Sequence, residues 1–392
     1  MKRAALFLTM LCCSSCAPVQ TFHPLSLSSS ASAAVQVVYV VDGSTLTTYN
    51  IDPQTFQATQ VGAITLLQSV YPGLITSPDG RFLYYTAYAN TSQQGKRLYV
   101  YDTDTSGAPG SSPVQVIAGG LYGMLINPAG NFLYGVNAGA AGPQYTPYTI
   151  VRYAVDPSTG KISQPIMEAR YQLPSGANGS EYCGLSILGF NAAGNTIYDE
   201  VGCSYHGGSS ATYNERTVNL QTGVLGPDVQ VYSWNNASQG VEFVYFVNNW
   251  MFDFGMPNNY EQGVNFANIY QVQPNVSTPQ VNCTASMLQA CGYDLGLPHP
   301  SGKYVFMFNT QGATEVDKVE LSQKKIVGPT SSTPYEVQQF SPDGSIAYAA
   351  NDVNGALDID IYGFSVSTGA LTAGGLINVP SDLDSWFTAR RY

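Results

Sequence analysis

The sequence predicts an all-β fold: a seven-bladed β-propeller of four-stranded blades, closed where the C-terminal strand joins the N-terminal blade. Two repeated phrases and the composition lead to this prediction. The 392 residues include 39 glycines and 28 tyrosines, and only 10% of them are charged. This balance suits short, twisted strands joined by tight turns.

The first repeated phrase, called the Pro-Gly phrase below, is a tight turn followed by an apolar and aromatic strand start. It reads SPDGRFLY at residues 77–84, with copies that begin at residues 127, 299 and 341 and a degenerate copy at residue 191. Its turn glycines are Gly80, Gly130, Gly194, Gly302 and Gly344. The double-length gap before Gly302 predicts a further turn near residue 248, with Asn249 in place of the glycine. Spacings of this size are typical of a propeller.

The second phrase, called the Thr-Gly phrase below, is an alternating strand that runs into a turn rich in Asp, Pro, Ser, Thr and Gly. It occurs at residues 49–55, 153–160 and 362–369, and in shorter form at 218–223. Together the phrases predict an inner strand, two middle strands and an outer strand for each blade. Six Pro-Gly turns give six complete blades. Three strands within residues 37–61 and a last strand at Trp386 and Phe387 are then expected to form the seventh.

The N-terminal segment has the pattern of a secretory signal. Lys2 and Arg3 precede a short apolar run, and residues 14–16 form a small-residue cleavage site that ends in Cys16. The pattern resembles a bacterial lipoprotein signal, although Cys13 stands where that motif normally has leucine. We therefore expect a signal at residues 1–16, a Ser/Ala-rich linker at 17–34 and the propeller at 35–392. The expected location is the bacterial cell envelope, through lipidated Cys16, with plain secretion as the alternative.

Four cysteines remain beyond the signal, an even number that suits an oxidising compartment. Cys183 and Cys203 are nearly equidistant from the turn at Gly194, which predicts that they face each other on adjacent strands. Cys283 and Cys291 bracket a short loop, and we predict a second disulfide there. A zinc site is disfavoured because no CxxC spacing is present.

The formal net charge of −11 argues against a nucleic-acid partner, since no run of Lys or Arg reverses it locally. No segment of the propeller body is long and apolar enough for a membrane helix, so contact with a membrane is expected only through the lipid anchor. We expect a monomer without a cofactor.

The expected binding site is one mouth of the central channel, because the loops that enter the inner strands meet there in propellers. Aromatic rings and carboxylates in these loops suit a glycan, another small molecule or an envelope protein. The alternative is that the tyrosines only pack one blade against the next. A calcium ion in the channel is a further alternative. The predicted mouth residues are Tyr71, Tyr122, Glu181, Tyr182, Glu242, Tyr293, Asp294, Tyr335, Glu336 and Asp384.

Few residues are candidates for catalysis. His206 follows the second strand of the fourth blade, near Glu200, and is the best candidate for a general base. His299 stands where sister repeats have Ser or Asn, which predicts a role in capping the turn. No nucleophile-elbow, metalloprotease or nucleotide-binding motif is present.

The Pro-Gly phrase followed by the Thr-Gly phrase resembles the lactonase-type and YVTN-repeat seven-bladed propellers over nearly the whole mature chain. The resemblance implies the fold. Family members with lactonase activity are associated with an Arg-His pair in an inner strand and a later Glu, and neither is found here, so no catalytic residue is carried over. We therefore expect a binding protein, with a lactonase-like hydrolase of sugar lactones that uses His206 as the alternative.

Overall fold

The structure is a computed structural model, and it shows a ring of seven antiparallel sheets of four strands each. It describes residues 36–67, 70–87, 97–139, 145–174, 181–205, 208–236, 241–256, 266–273, 281–284, 295–308, 314–320, 325–353, 356–379 and 386–391. The predicted signal and linker lie outside these ranges. Within them, no helix has the length and apolar character needed to cross a membrane.

The strands follow the predicted order within each blade. Blade 1 contains β1 (Gln36–Asp42), β2 (Thr45–Ile51) and β3 (Ala58–Thr65). Blade 2 contains β4 (Val70–Thr76), β5 (Phe82–Ala87), β6 (Arg97–Asp102) and β7 (Gln115–Ala118). Blade 3 contains β8 (Tyr122–Ile126), β9 (Phe132–Ala138), β10 (Tyr145–Ala154) and β11 (Ile166–Pro174). Blade 4 contains β12 (Glu181–Phe190), β13 (Thr196–Tyr205), β14 (Gly208–Val218) and β15 (Leu225–Asn236).

The remaining blades complete the ring. Blade 5 contains β16 (Val241–Val247), β17 (Trp250–Met256), β18 (Phe266–Gln271) and β19 (Val281–Thr284). Blade 6 contains β20 (Leu295–Pro298), β21 (Tyr304–Phe308), β22 (Thr314–Glu320) and β23 (Lys325–Thr333). Blade 7 contains β24 (Glu336–Phe340), β25 (Ile346–Val353), β26 (Ala356–Ser365) and β27 (Ala370–Val379). The last strand, β28 (Trp386–Arg391), belongs to blade 1.

The two ends of the chain close the ring, as predicted. Strand β28 pairs antiparallel with β1, so that Trp386 lies opposite Val41 and Phe387 opposite Val40. The first strands of successive blades lie beside one another around the centre. Closure therefore leaves no blade without neighbours on both sides.

The hydrophobic core is divided among the seams between neighbouring blades. Leu83 of β5 packs in the seam with blade 1, and the next residue, Tyr84, packs in the seam with blade 3. Such alternation follows from the two-residue period of a strand, which points successive side chains to opposite faces. Each of the seven seams contains a cluster of this kind.

Buried tyrosines of the middle strands bind the Thr-Gly turn of the following blade. The hydroxyl of Tyr84 donates to the carbonyl oxygen of Gly160 at 3.1 Å, and the hydroxyl of Tyr134 donates to that of Gly223 at 2.6 Å. Both glycines have positive φ, at 67° and 72°. The two phrases are therefore joined in space, because the strand of one blade bonds to the turn of the next.

The Pro-Gly turns are closed by the side chain of their first residue. Ser77 Oγ accepts the backbone N–H of Phe82 at 3.0 Å, and Asn127 Oδ1 accepts that of Phe132 at 2.9 Å. His299 Nδ1 accepts the N–H of Ser301 at 3.0 Å, which confirms the predicted capping role.

The turn near residue 248 differs from the prediction. The positive φ of 57° belongs to Asn248 and not to Asn249. Val247 pairs directly with Trp250, so this turn has only two residues and is shorter than the Pro-Gly turns. Because the loop is shorter, the left-handed conformation moves one residue earlier, and asparagine tolerates it there.

Candidate channel-mouth site

The Pro-Gly turns all lie at one end of the propeller. A side chain added at Gly130 would meet Pro78 of the preceding blade at 3.2 Å, and one at Gly194 would meet Pro128 at 2.9 Å. Since each inner strand ends at its turn, the starts of the inner strands gather at the opposite end. That opposite end is the predicted channel mouth.

Several predicted mouth residues stand at the first positions of inner strands. Tyr122, Glu181 and Glu336 are the first residues of β8, β12 and β24. Tyr71, Tyr182 and Glu242 are the second residues of β4, β12 and β16, and Tyr335 immediately precedes β24. Tyr293, Asp294 and Asp384 lie outside the described residues, so their placement stays a prediction.

Tyr122 and Tyr335 are half-buried and contribute to packing. Tyr122 lies against the apolar cluster between blades 3 and 4, and Tyr335 lies against the cluster between blades 6 and 7. The backbone carbonyl of Tyr335 also accepts a hydrogen bond from Thr314 Oγ1 at 2.8 Å. These two tyrosines therefore connect the mouth to the seams, as the packing interpretation expects.

Sequence reasoning missed Tyr245, which belongs to the inner strand of blade 5. Its side chain packs against the clusters on both sides of blade 6. Burial raises the pKa of the Tyr245 phenol, and the negative charge of Glu336 raises it further. A phenol of blade 5 thus lies within electrostatic range of a carboxylate of blade 7, with blade 6 between them, and no local sequence pattern predicts this relation.

Charge is distributed unevenly along the inner strands. The acidic residues Glu181, Glu242 and Glu336 stand at strand starts, whereas the arginines Arg390 and Arg391 stand at the far end of β28. No histidine occurs in these seven strands as the structure describes them. The Arg-His pair that the resemblance would imply is absent from them too.

Glu200 lies in β13 and is partly buried on the face toward blade 5. Burial raises the pKa of its carboxyl to about 7. A side chain at Gly202 would come within 3.0 Å of Glu200 Oε1, so the glycine leaves room for the carboxylate. His206 lies outside the described residues, just after Tyr205. Five residues of extended strand, about 17 Å, separate Glu200 from Tyr205, and whether Glu200 and His206 act together stays a prediction.

The disulfide between Cys183 and Cys203 is confirmed. The two residues are direct cross-strand partners in β12 and β13, with Cα atoms 4.0 Å apart. The bond joins the start of an inner strand to the end of the strand that leads to His206. Cys283 lies in β19 opposite Ala267. Cys291 is outside the described residues, so the second disulfide stays a prediction.

Among the described residues, no group of three or more His, Cys, Asp or Glu side chains is arranged to hold a metal ion. The predicted alternative of calcium in the channel also depends on mouth residues outside the described ranges, and it stays a prediction.

Fold and mouth together define a closed seven-bladed propeller. Two solved bacterial structures share its architecture, and both carry the name "putative 6-phosphogluconolactonase". The one from Bacteroides uniformis is 12% identical, with a TM-score of 0.58, and the match covers 90% of this chain and 99% of that chain. The one from Bacteroides fragilis is 13% identical, with a TM-score of 0.57, and the match covers 92% and 99%. No family model and no curated protein matches the sequence. The expected likeness to lactonase-type propellers is thus confirmed at the level of the fold.

Proposed function

We propose that this chain is an extracytoplasmic propeller that binds a ligand or a protein partner at its channel mouth. The residue content of the inner strands carries the proposal. Carboxylate and phenol residues stand where these strands begin, and the described inner strands have arginine only at the opposite end. Rings and acceptors of this kind suit a neutral glycan, another uncharged or cationic small molecule, or a basic segment of an envelope protein.

Electrostatics disfavour an anionic ligand at this end. The chain has a net charge of −11, and the negative charge of Glu336 raises the pKa of the Tyr245 phenol. An anion would approach like charges before it made any contact, which lowers both its rate of association and its affinity. The proposed ligand is therefore uncharged or positive.

Calorimetric titration with neutral oligosaccharides and with a basic peptide tests this proposal. Glu336→Gln removes one acceptor charge from the mouth, and we expect about tenfold weaker binding of the best probe. Asp79→Asn is the matched control, because Asp79 is an exposed carboxylate in a Pro-Gly turn at the other end. Equal losses in both variants, or no binding of any probe, would contradict a mouth site.

A lactonase-like hydrolase is the second candidate, and the fold shared with two proteins of that name favours it. A neutral sugar lactone fits the acidic mouth better than a phosphorylated one. Purified protein should be assayed against both kinds of lactone, with His206→Ala as the control. Turnover that disappears in His206→Ala would overturn the binding-only proposal.

The disulfide supports a location outside the cytoplasm, since such bonds persist in oxidising compartments. We propose that Cys16 carries a lipid that tethers the propeller to the cell envelope. Mass spectrometry of the mature N-terminus tests the tether. An unmodified N-terminus beyond Cys16 would indicate plain secretion instead.

A further inference from the structure

One position on the third strand of every blade faces the seam with the preceding blade. It lies opposite the second residue of the neighbouring strand in blades 2 to 7 and opposite the third residue of β1 in blade 1. Five blades place a tyrosine there, blade 4 places an arginine and blade 6 an aspartate. The residues are Tyr49, Tyr101, Tyr153, Arg216, Tyr270, Asp317 and Tyr362.

The arginine of blade 4 has partners for its charge. Arg216 Nε binds Asp199 Oδ2 at 2.7 Å, and its guanidinium also bonds to the hydroxyl of Tyr171 in blade 3. A second carboxylate, Asp228, lies 3.6 Å away. Blade 4 therefore shows how this position accommodates a charge: groups of the chain surround it and compensate it.

Asp317 of blade 6 has no such compensation among the described residues. It is 1% exposed, and its Oδ1 atom accepts no hydrogen bond. The lysines of β22 and β23, Lys318 and Lys325, both bind Glu320 instead. A buried ionised carboxylate without a cation or a donor is costly, so a cation bound at this position would stabilise the folded chain.

The surroundings of Asp317 add negative charge and oxygen atoms. Glu315 stands two residues earlier on the same face of β22, and its charge adds to burial in raising the pKa of Asp317 to about 7. Gly328 of β23 has no side chain, and the Asp317 carboxylate occupies the space that a Cβ would fill. The aspartate is also smaller than the tyrosine of the sister blades. Two carboxylates thus face a seam in which the usual ring is missing.

We propose that Asp317 and Glu315 bind a divalent cation, of which calcium is the best match, in the seam between blades 5 and 6. Calcium accepts carboxylates, backbone carbonyls and water in a flexible shell of oxygen atoms. The described residues hold no trio of acidic or His/Cys ligands, so carbonyl oxygens and water complete the shell. This seam site is distinct from the central channel.

Calorimetry on chelator-stripped protein tests the site, with calcium chloride as the probe. We expect a dissociation constant of about 0.1 to 1 mM, as in calcium sites of extracellular modules, and a rise in Tm on saturation. Asp317→Asn should weaken binding at least about tenfold, and Glu315→Gln should weaken it less. Asp360→Asn is the matched control, since Asp360 is a partly buried carboxylate on the third strand of blade 7. No calcium-dependent rise in Tm, or the same rise in Asp317→Asn, would overturn the proposal.

A second measurement, made without calcium, tests the unpaired charge of Asp317 directly, so that loss of binding through a local distortion in Asp317→Asn does not leave the proposal undecided. In EDTA at pH 8, the asparagine variant should melt at a higher temperature than the unsubstituted protein, because it removes an uncompensated buried charge. An equal or lower Tm would mean that Asp317 already has a partner within the chain. That result would also contradict the cation site.

Discussion

Replacing His299 with asparagine tests how a buried imidazole links two blades. His299 is fully buried, its Nδ1 atom accepts the N–H of Ser301, and its Nε2 atom lies 2.8 Å from the carbonyl oxygen of Gly344. Since Nδ1 is an acceptor, the ring proton must be on Nε2, which donates to Gly344 in blade 7. Asparagine takes the same turn position at Asn127, so the variant keeps the cap but loses the hydrogen bond to Gly344 and the ring contacts of the imidazole.

The magnitude follows from the pKa of the ring. Burial lowers the pKa of His299 from 6.5 to about 4. Between about pH 6.5 and pH 4, the His299 ring is therefore neutral in the folded protein but protonated in the unfolded chain. The contribution of His299 to the free energy of unfolding is fully present above about pH 6.5, and it is lost as the pH falls toward 4. At about 1.4 kcal/mol for each pH unit, the loss amounts to about 3 kcal/mol.

The assay is urea unfolding, followed by circular dichroism, of both proteins between pH 7.5 and 4.5. At pH 7.5 the variant should be less stable by about 1 to 3 kcal/mol, from the lost hydrogen bond and the lost contacts with Phe340 and Phe364. By pH 4.5 the difference in stability should fall by about 2 to 3 kcal/mol, because only the histidine protein acquires the proton-linked loss, so the two proteins become similar in stability or the order reverses. Glu200 and Asp317, which burial shifts in the opposite sense, titrate in both proteins and cancel in the difference. A gap that does not change with pH would refute the reasoning.

Three further variants test the seams and the disulfide by the same unfolding assay. Tyr134→Phe removes the hydrogen bond to Gly223 and should lower the free energy of unfolding by about 1 kcal/mol; an unchanged midpoint would mean that the bond contributes nothing net. Gly223→Ala places a Cβ 2.7 Å from the Phe132 ring at a φ of +72°, and we expect a loss of about 2 to 4 kcal/mol, whereas a near-neutral result would contradict the close approach. Replacing Cys183 and Cys203 together with alanine should cost about 3 kcal/mol, given their separation of 20 residues. Reductant should lower the midpoint of the unsubstituted protein but not that of the double variant.

Much of the architecture was predictable because turns are specified locally. A turn whose backbone needs positive φ favours glycine at that residue. Gly80, Gly130 and Gly344 therefore mark their turns independently of the rest of the chain. The spacing of these turns predicted the number of blades, and the unpaired strands at both ends predicted closure. The exception is instructive: at Asn248 the loop length, which the phrase does not encode, decided which residue is left-handed.

The candidate sites were less predictable, because they depend on groups that meet only when blades pack side by side. The sequence alone determined the repeat, the blade count, the pairing of Cys183 with Cys203 and the acidic character of the strand starts. Only the tertiary structure decided that Tyr245 lies near Glu336 and that Asp317 occupies a tyrosine's place without a partner. The physical reason is that turn conformation is a property of a few consecutive residues. Charge compensation in a seam depends instead on how each sheet rests against its neighbour.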